Sequence, residues 1–501
     1  MGEDAERLVV GLSYSMLGGV ASQSLLYLAG VLVMRLLGPA DYGLYQLVFL
    51  VPLLVTPVLN FGIESTLVRF VSKYVVDDPE KGIRTARFLF FVRAGVGLLA
   101  CGAILVLAPW IGALLGEDVV LGVRIAGIFL LGNMLYLFMQ FFFQAFFLMK
   151  ERTAVMTVHG AVYLAVVPVL VYMGAGYLAP IMAFTITKYA SVLIGLLLAW
   201  RKGLNLIAPP SREGVHLLEQ VRFAAPTYVD VLLWAVFTQI GVILIRATGL
   251  PVVEIGYFRA VYNVVLVGSF LAMVLNVVVY PYVSELESKG DEARLSSFCS
   301  LIIRFMILLG TPASIGFFLV SKPTLQAFLP EYLPALTIMQ TLSLMLLFLP
   351  LFQVSKTVLL GIGRPKAVAY TTLASTGAVV GLGVVLALVA ETEGLAFAYV
   401  IATLLGMSLA LYTLTRRIEI GISISSIAKV AFSTLAMGAV TYLVMASIAS
   451  PILQIAIGVA TGLVVYGALA YFLKILSEND LDTLRTALGI ARHRTLAGRD
   501  S

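Results

Sequence analysis

Fourteen apolar stretches follow one another along this chain, the first at 8–36 and the last at 452–474, separated by short connections rich in charge, Pro and Gly. Each is about as long as the roughly 20 residues a helix needs to cross the hydrocarbon of a bilayer. Of the 501 residues 60% are apolar and 12% charged, with a mean hydropathy of +1.02. A soluble domain carries roughly 45–50% apolar and about 25% charged residues. Hydrocarbon offers no water to satisfy backbone N–H and C=O groups, so spanning segments of this length are helices. The longest connection, around 201–219, leaves no room for a sizeable extramembrane domain. The expected fold is an all-α integral membrane protein with 14 transmembrane helices, its amino-terminal run (MGEDAERLVV onward) reading as a first span and not a cleaved leader.

Charge assigns sides. Threading the chain through fourteen spans puts 24 of the 33 basic residues on the side that holds both termini, against four (Arg35, Arg246, Arg259 and Lys322) on the other. By the positive-inside rule the termini are cytoplasmic. Spacing also exposes a duplication. Arg35-x-x-Gly38 recurs as Arg246-x-x-Gly249, Asp41-x-Gly43 as Glu254-x-Gly256, and Arg93 as Arg304, at offsets of 211 to 213 residues. Six helices make one copy, an even number, so both copies enter from the same side and form a parallel repeat. The organisation expected is an N-terminal six-helix lobe (1–203), a cytoplasmic inter-lobe linker (204–219) and a C-terminal six-helix lobe (220–417). Appended helices 13–14 (418–475) and a cytoplasmic amphipathic basic tail (476–501) follow.

An ionisable side chain within a span costs about 2.5–3.5 kcal/mol on insertion scales and usually faces protein or a watery cavity. Lys188 in helix 6 and Asp230 in helix 7 fall near the midplane, where a two-lobed transporter holds its substrate; pairing with each other is the alternative. Arg93 and Arg304, at equivalent places in helices 3 and 9, are candidates for an inward-facing vestibule or for snorkelling to headgroups. Glu64 and Arg69 read as a local salt bridge at one end of helix 2. Arg35 and Arg246 stand on the side otherwise poor in basic residues, where they would attract a departing anion, anchor at the interface or tie to Asp41 or Glu254. Cations outnumber acids within the spans, so the buried chemistry leans toward anions. The substrate-binding candidates are Lys188, Asp230, Arg93, Arg304, Arg35 and Arg246.

Catalysis finds no foothold. His159, His216 and His493 are far apart and read as lying at or beyond helix ends, and neither a nucleophile elbow, a P-loop nor zinc-ligand spacing occurs. Cys101 and Cys299 each sit within an apolar run, without a disulfide framework. The net charge of +6 is spread over short loops, which suits a membrane better than nucleic acid. No catalytic residue, metal or cofactor is expected.

Three segments then resemble one family. Residues 35–48 (RLLGPADYGLYQLV), 62–74 (GIESTLVRFVSKY) and 359–375 (LLGIGRPKAVAYTTLAS) are similar to signatures of the polysaccharide and oligosaccharide flippases. These flippases belong to the multidrug/oligosaccharidyl-lipid/polysaccharide exporter superfamily. Glu64 departs from the pattern, where a neutral residue is commoner. The resemblance implies two six-helix lobes rocking around a central cationic cavity to move a polyprenyl-(pyro)phosphate-linked oligosaccharide from the cytoplasmic to the outer leaflet. It implies roles for Arg35, Arg69 and Arg364 in the three signatures, the last two structural or lipid-contacting. It also implies a prokaryotic cytoplasmic membrane as location, membrane lipids as surroundings, H⁺ or Na⁺ as candidate coupling ions, and a monomer. The alternative is a cation-coupled multidrug exporter of the same superfamily, which would want more acids in its cavity than Asp230 alone.

Overall fold

The computed structural model describes residues 2–60, 62–209, 217–268, 270–421 and 423–475. Among them there is helix and connection but no strand. All fourteen sequence segments fall on helices, ten of which are individually long and apolar enough to cross a membrane, or eleven with one bent pair counted as a span. The protein is a multi-pass membrane protein.

The chain parts into two compact units, Met1–Gly256 and Tyr257–Ser501. The first opens on α1 (Gly2–Val58), which holds segments 1 and 2 in one run turned at Gly38, whose φ of 69° suits glycine. Segment 2 does not continue as one rod. It breaks after Val58 and resumes as α2 (Ile63–Thr66), a π-helical turn (Leu67–Val71) and α3 (Ser72–Asp77). Then come α4 (Pro79–Leu115), α5 (Val120–Ala145), α6 (Met149–Tyr172), α7 (Leu178–Arg201) and α8 (Leu217–Ala247). The α5 helix packs against α4 and α7, and α6 against α1 and α7. Aromatic rings fill the centre, with Phe184 stacked on Tyr163 at 3.9 Å between centroids and on Phe49 at 5.4 Å. The α8 helix, first in the second repeat copy, packs on α1 and so counts with the first unit.

α9 (Val252–Val267) runs from the first unit into the second. Segment 8 is broken too, with a turn at Gly268 before α10 (Phe270–Ser288). α11 (Glu292–Phe328) follows, and segment 10 bends by 45° between Pro330–Ser343, which ends in α12 (Leu336–Ser343), and α13 (Met345–Gly361). Segments 11 and 12 form one run, α14 (Pro365–Thr415), turned at Ala390 and Glu391. The expected appended pair is α15 (Ile424–Ala446) and α16 (Pro451–Phe472), packed on each other and on α11. The basic tail lies outside the described residues, as does 210–216 of the expected linker.

Small residues bring helices together where hydrocarbon gives no hydrophobic drive for association. A β-carbon on Gly406 of α14 would stand 2.8 Å from the Phe352 ring of α13, whereas one on Gly102 of α4 meets nothing within 4 Å. Gly406→Val should therefore cost about 1–3 kcal/mol, read as a lower unfolding midpoint in detergent, while Gly102→Val leaves the midpoint in place.

Candidate functional site

In the first unit, α5, α6 and α7 face one another with polar side chains at matching depth. Lys188, ten residues into α7, is 8% exposed, and its Nζ lies 3.7 Å from the centre of the Tyr136 ring on α5. Among the described residues it forms no ion pair, so the pairing with Asp230 weighed from the sequence is not made. A cation over an aromatic face gains about 2 kcal/mol when desolvated, which compensates only partly for leaving water.

His159 stands beside this pair, its ring 5.0 Å from Tyr136 and 5.9 Å from Phe184. It is buried and its Nδ1 has no hydrogen-bond partner among the described residues. Sequence reasoning put it at a helix end. The charged opening Lys150-Glu151-Arg152 is itself helical, which carries His159 ten residues into α6. That longer helix was the signal to use. The Arg152 guanidinium comes within electrostatic reach of the Tyr136 hydroxyl, and Gln140, one turn beyond Tyr136 on α5, is buried with both amide atoms unpartnered. Lys188, His159 and Arg152 thus surround one phenol. Such a place can receive an anion or ordered water, since buried polar groups are otherwise nearly always hydrogen-bonded.

The arginines expected at the cavity are placed differently. Arg93 is 1% exposed. Its Nη1 donates to the Leu59 carbonyl at 3.1 Å and to Asn60 Oδ1 at 3.4 Å, its Nε donates to the Met134 carbonyl at 3.3 Å, and Nη2 lies 3.6 Å from Glu64 Oε1. The reason is the break in segment 2, which frees carbonyls that need donors; Tyr228 of α8 donates to another, that of Val58. Glu64 is therefore a partner of Arg93; the side chain of Arg69, the partner expected from the sequence, lies outside the described residues. Arg304, the repeat counterpart, lines a small crevice with Leu308, Ser426, Val430 and Ile475, because α15 packs on α11 there.

Arg246 caps a helix. Its Nε and Nη2 donate to the carbonyls of Leu115 (2.7 Å) and Gly116 (2.9 Å) at the end of α4, with Glu117 at 3.6 Å. That matches the preference of cations for helix C-termini. Arg35 is exposed and Asp230 half-buried on α8. The described residues contain no group of three or more His, Cys, Asp or Glu placed to hold a metal.

A feature not anticipated lies in the second unit. A cavity of about 440 Å³ opens among α11, α13, α15 and α16, lined by Gly310, Phe317, Leu346, Met437 and Gly458 among others. Only Thr441 and Tyr466 bring polar side-chain atoms, and the Tyr466 hydroxyl is already given to the Leu308 carbonyl at 2.7 Å. Individual spans carry no mark for it, since its walls look like any lipid-facing helix.

Breaking a buried charge pair by removing one partner costs about 3–5 kcal/mol. Arg93→Met should lower the unfolding midpoint accordingly, and adding Glu64→Gln should recover part of the loss, as a double-mutant cycle in detergent would measure.

Comparison with solved structures supplies the fold's relatives. The lipid II flippase MurJ in an inward closed conformation matches with a TM-score of 0.71 at 16% identity, over 92% of this chain and 99% of that one. An inward-facing multidrug resistance MATE transporter of the MOP superfamily matches with a TM-score of 0.65 at 17% identity, over 81% and 97%. A MOP superfamily transporter from Pyrococcus furiosus, described as having a binding pocket of reverse polarity, gives 0.59 at 15%, over 81% and 95%. These likenesses establish the fold alone, one that this chain shares with those transporters. No curated protein matches the sequence. The family model described as "Polysaccharide biosynthesis protein" matches residues 8–287, more than half of the length, and the chain belongs to that family.

Proposed function

We propose that the protein is a flippase that carries a polyprenyl-(pyro)phosphate-linked oligosaccharide from the cytoplasmic to the outer leaflet. The observation that carries this reading is Lys188, a cation buried in the spanning region with no carboxylate to neutralise it among the described residues. An acidic cargo group is the partner such a residue lacks, and a headgroup phosphate is acidic. The apolar cavity of the second unit suits the other end of the molecule, a chain of hydrocarbon. The name of MurJ, a lipid II flippase, belongs to a protein of the same fold.

In this reading the six-helix lobes, 1–203 and 220–417, are the bodies that alternate, and both termini lie in the cytoplasm of a prokaryote. The protein works as a monomer, without a catalytic step. Lys188 leads the substrate-binding set, with Asp230 near it in depth and Arg35 at the far end of the path. Arg93, Arg246 and Arg304 hold the framework that presents them. With the interior negative, outward movement of an anion is favoured by about 2.3 kcal/mol per charge per 100 mV, and H⁺ or Na⁺ counter-movement would add drive. A drug exporter that exchanges cations would need acids where the first unit has Lys188, Arg152 and His159.

The test is leaflet accessibility of a fluorescent polyprenyl-pyrophosphoryl sugar in proteoliposomes under an imposed potential. Translocation by the intact protein and its loss in Lys188→Ala is the expected result; cation-coupled uptake of a drug dye that depends on Asp230, with no lipid movement, would reject it. Gly316 lines the apolar cavity and a β-carbon there meets nothing within 4 Å. Gly316→Leu should fill that space and slow translocation while leaving the unfolding midpoint unchanged or raised.

A further inference from the structure

The repeated Asp/Glu-x-Gly motif has no part in binding chemistry, yet its two copies meet within the first unit. A β-carbon on Gly43 would overlap the carbonyl oxygen of Val252 and stand 3.1 Å from the Gly256 nitrogen. One on Gly256 would overlap the carbonyl oxygen of Pro39 and stand 3.2 Å from the Gly43 nitrogen. Pro39 and Val252 are themselves repeat-equivalent, as are Gly43 and Gly256, each at an offset of 213. The contact is therefore reciprocal. Each copy presses a glycine onto the carbonyl that its twin presents, as in a two-fold interface.

The atoms nearest to both glycines at this crossing are backbone atoms. Close Cα–H to carbonyl approaches of this kind are individually weak, and they vanish as soon as the turns separate. The residues just before the glycines, Tyr42 and Ile255, are buried at 2% and 0% exposure, so closure also covers apolar surface. Any side chain at either glycine would hold the turns apart by roughly 1 Å or more, because carbonyls cannot rotate away as a flexible side chain can. The two turns lie where helices 1 and 2, and helices 7 and 8, connect, at the end that the charge bias assigns to the outer face.

We propose that the Pro39–Gly43 and Val252–Gly256 turns form a separable clasp, closed here, whose parting opens the outer end of the transport path, and that the paired glycines set how far closure is favoured. The proposal rests on the alternating-access reading given above. It requires that the clasp has two positions, and that adding a methyl group to either side shifts the population toward the parted one.

Spin labels at Ala40→Cys on the first turn and Pro251→Cys just before the second, both exposed positions, would report the separation in proteoliposomes, on a background lacking Cys101 and Cys299. Two separations are expected in the parent, with the shorter dominant and their ratio responding to an imposed potential. A single separation under every condition would overturn the clasp. Gly43→Ala and Gly256→Ala should each deplete the short population several-fold, and together nearly remove it. An unchanged distribution in a double variant that melts like the parent would overturn the role of the glycines. The distances need no substrate, so a parent that fails to translocate lipid-linked sugar rejects the flippase reading and leaves the clasp to be decided on its own.

Discussion

A carbonyl freed inside hydrocarbon must find a donor within the protein, and the first unit depends on how that demand is met at Val58–Asn60. The second membrane segment stops being a regular helix there. Arg93 and Tyr228 reach in from α4 and α8 to occupy the Leu59 and Val58 carbonyls, and Arg93 ties in Met134 of α5 as well. Three helices are thereby registered around one break. A buried guanidinium is expensive to desolvate, but one that satisfies two carbonyls and an amide oxygen beside a carboxylate is held in a single arrangement. An arginine that the sequence offers equally for a vestibule or for headgroups is thus engaged by the backbone of the fold.

The two units are both built of helices and differ in their interiors. The first concentrates polarity, with Lys188, His159 and Arg152 around Tyr136 and the unpartnered amide of Gln140 nearby. The second concentrates apolar space, a cavity lined by glycine, leucine, methionine and phenylalanine. Equivalent arginines show the same divergence. Arg93 serves a helix break, while Arg304 faces the Ser426 and Val430 of an added helix. One unit thus offers polar groups and the other apolar space, the contrast on which the proposed function draws.

Span number, helical class and the repeat were legible because each is written in long-range regularities: apolar length, charge bias, and motifs recurring at nearly constant offset. Lys188 was legible for the opposite reason, as a single polar exception in an apolar run. Irregularity was harder. Gly62 lies among apolar residues that continue a helix pattern, and the break beside it depends on donors contributed by Arg93 and Tyr228, distant in sequence. Arg246 looked like an interfacial cation because its function as a cap exists only once α4 ends beside it. His159 was misplaced by a boundary error of five residues at the start of α6, which the charged first turn concealed.

The appended pair deserves to be seen as a wall. α15 and α16 lie outside the duplication and pack on α11 and each other, with the most apolar window of α16 only 6% buried. One face of the apolar cavity is therefore borrowed from helices that the two-fold scaffold does not require. Substitutions in that wall can reshape the cavity without touching the paired turns or Lys188, so under the proposed function the fit to a lipid tail can change separately from the residues that face the headgroup.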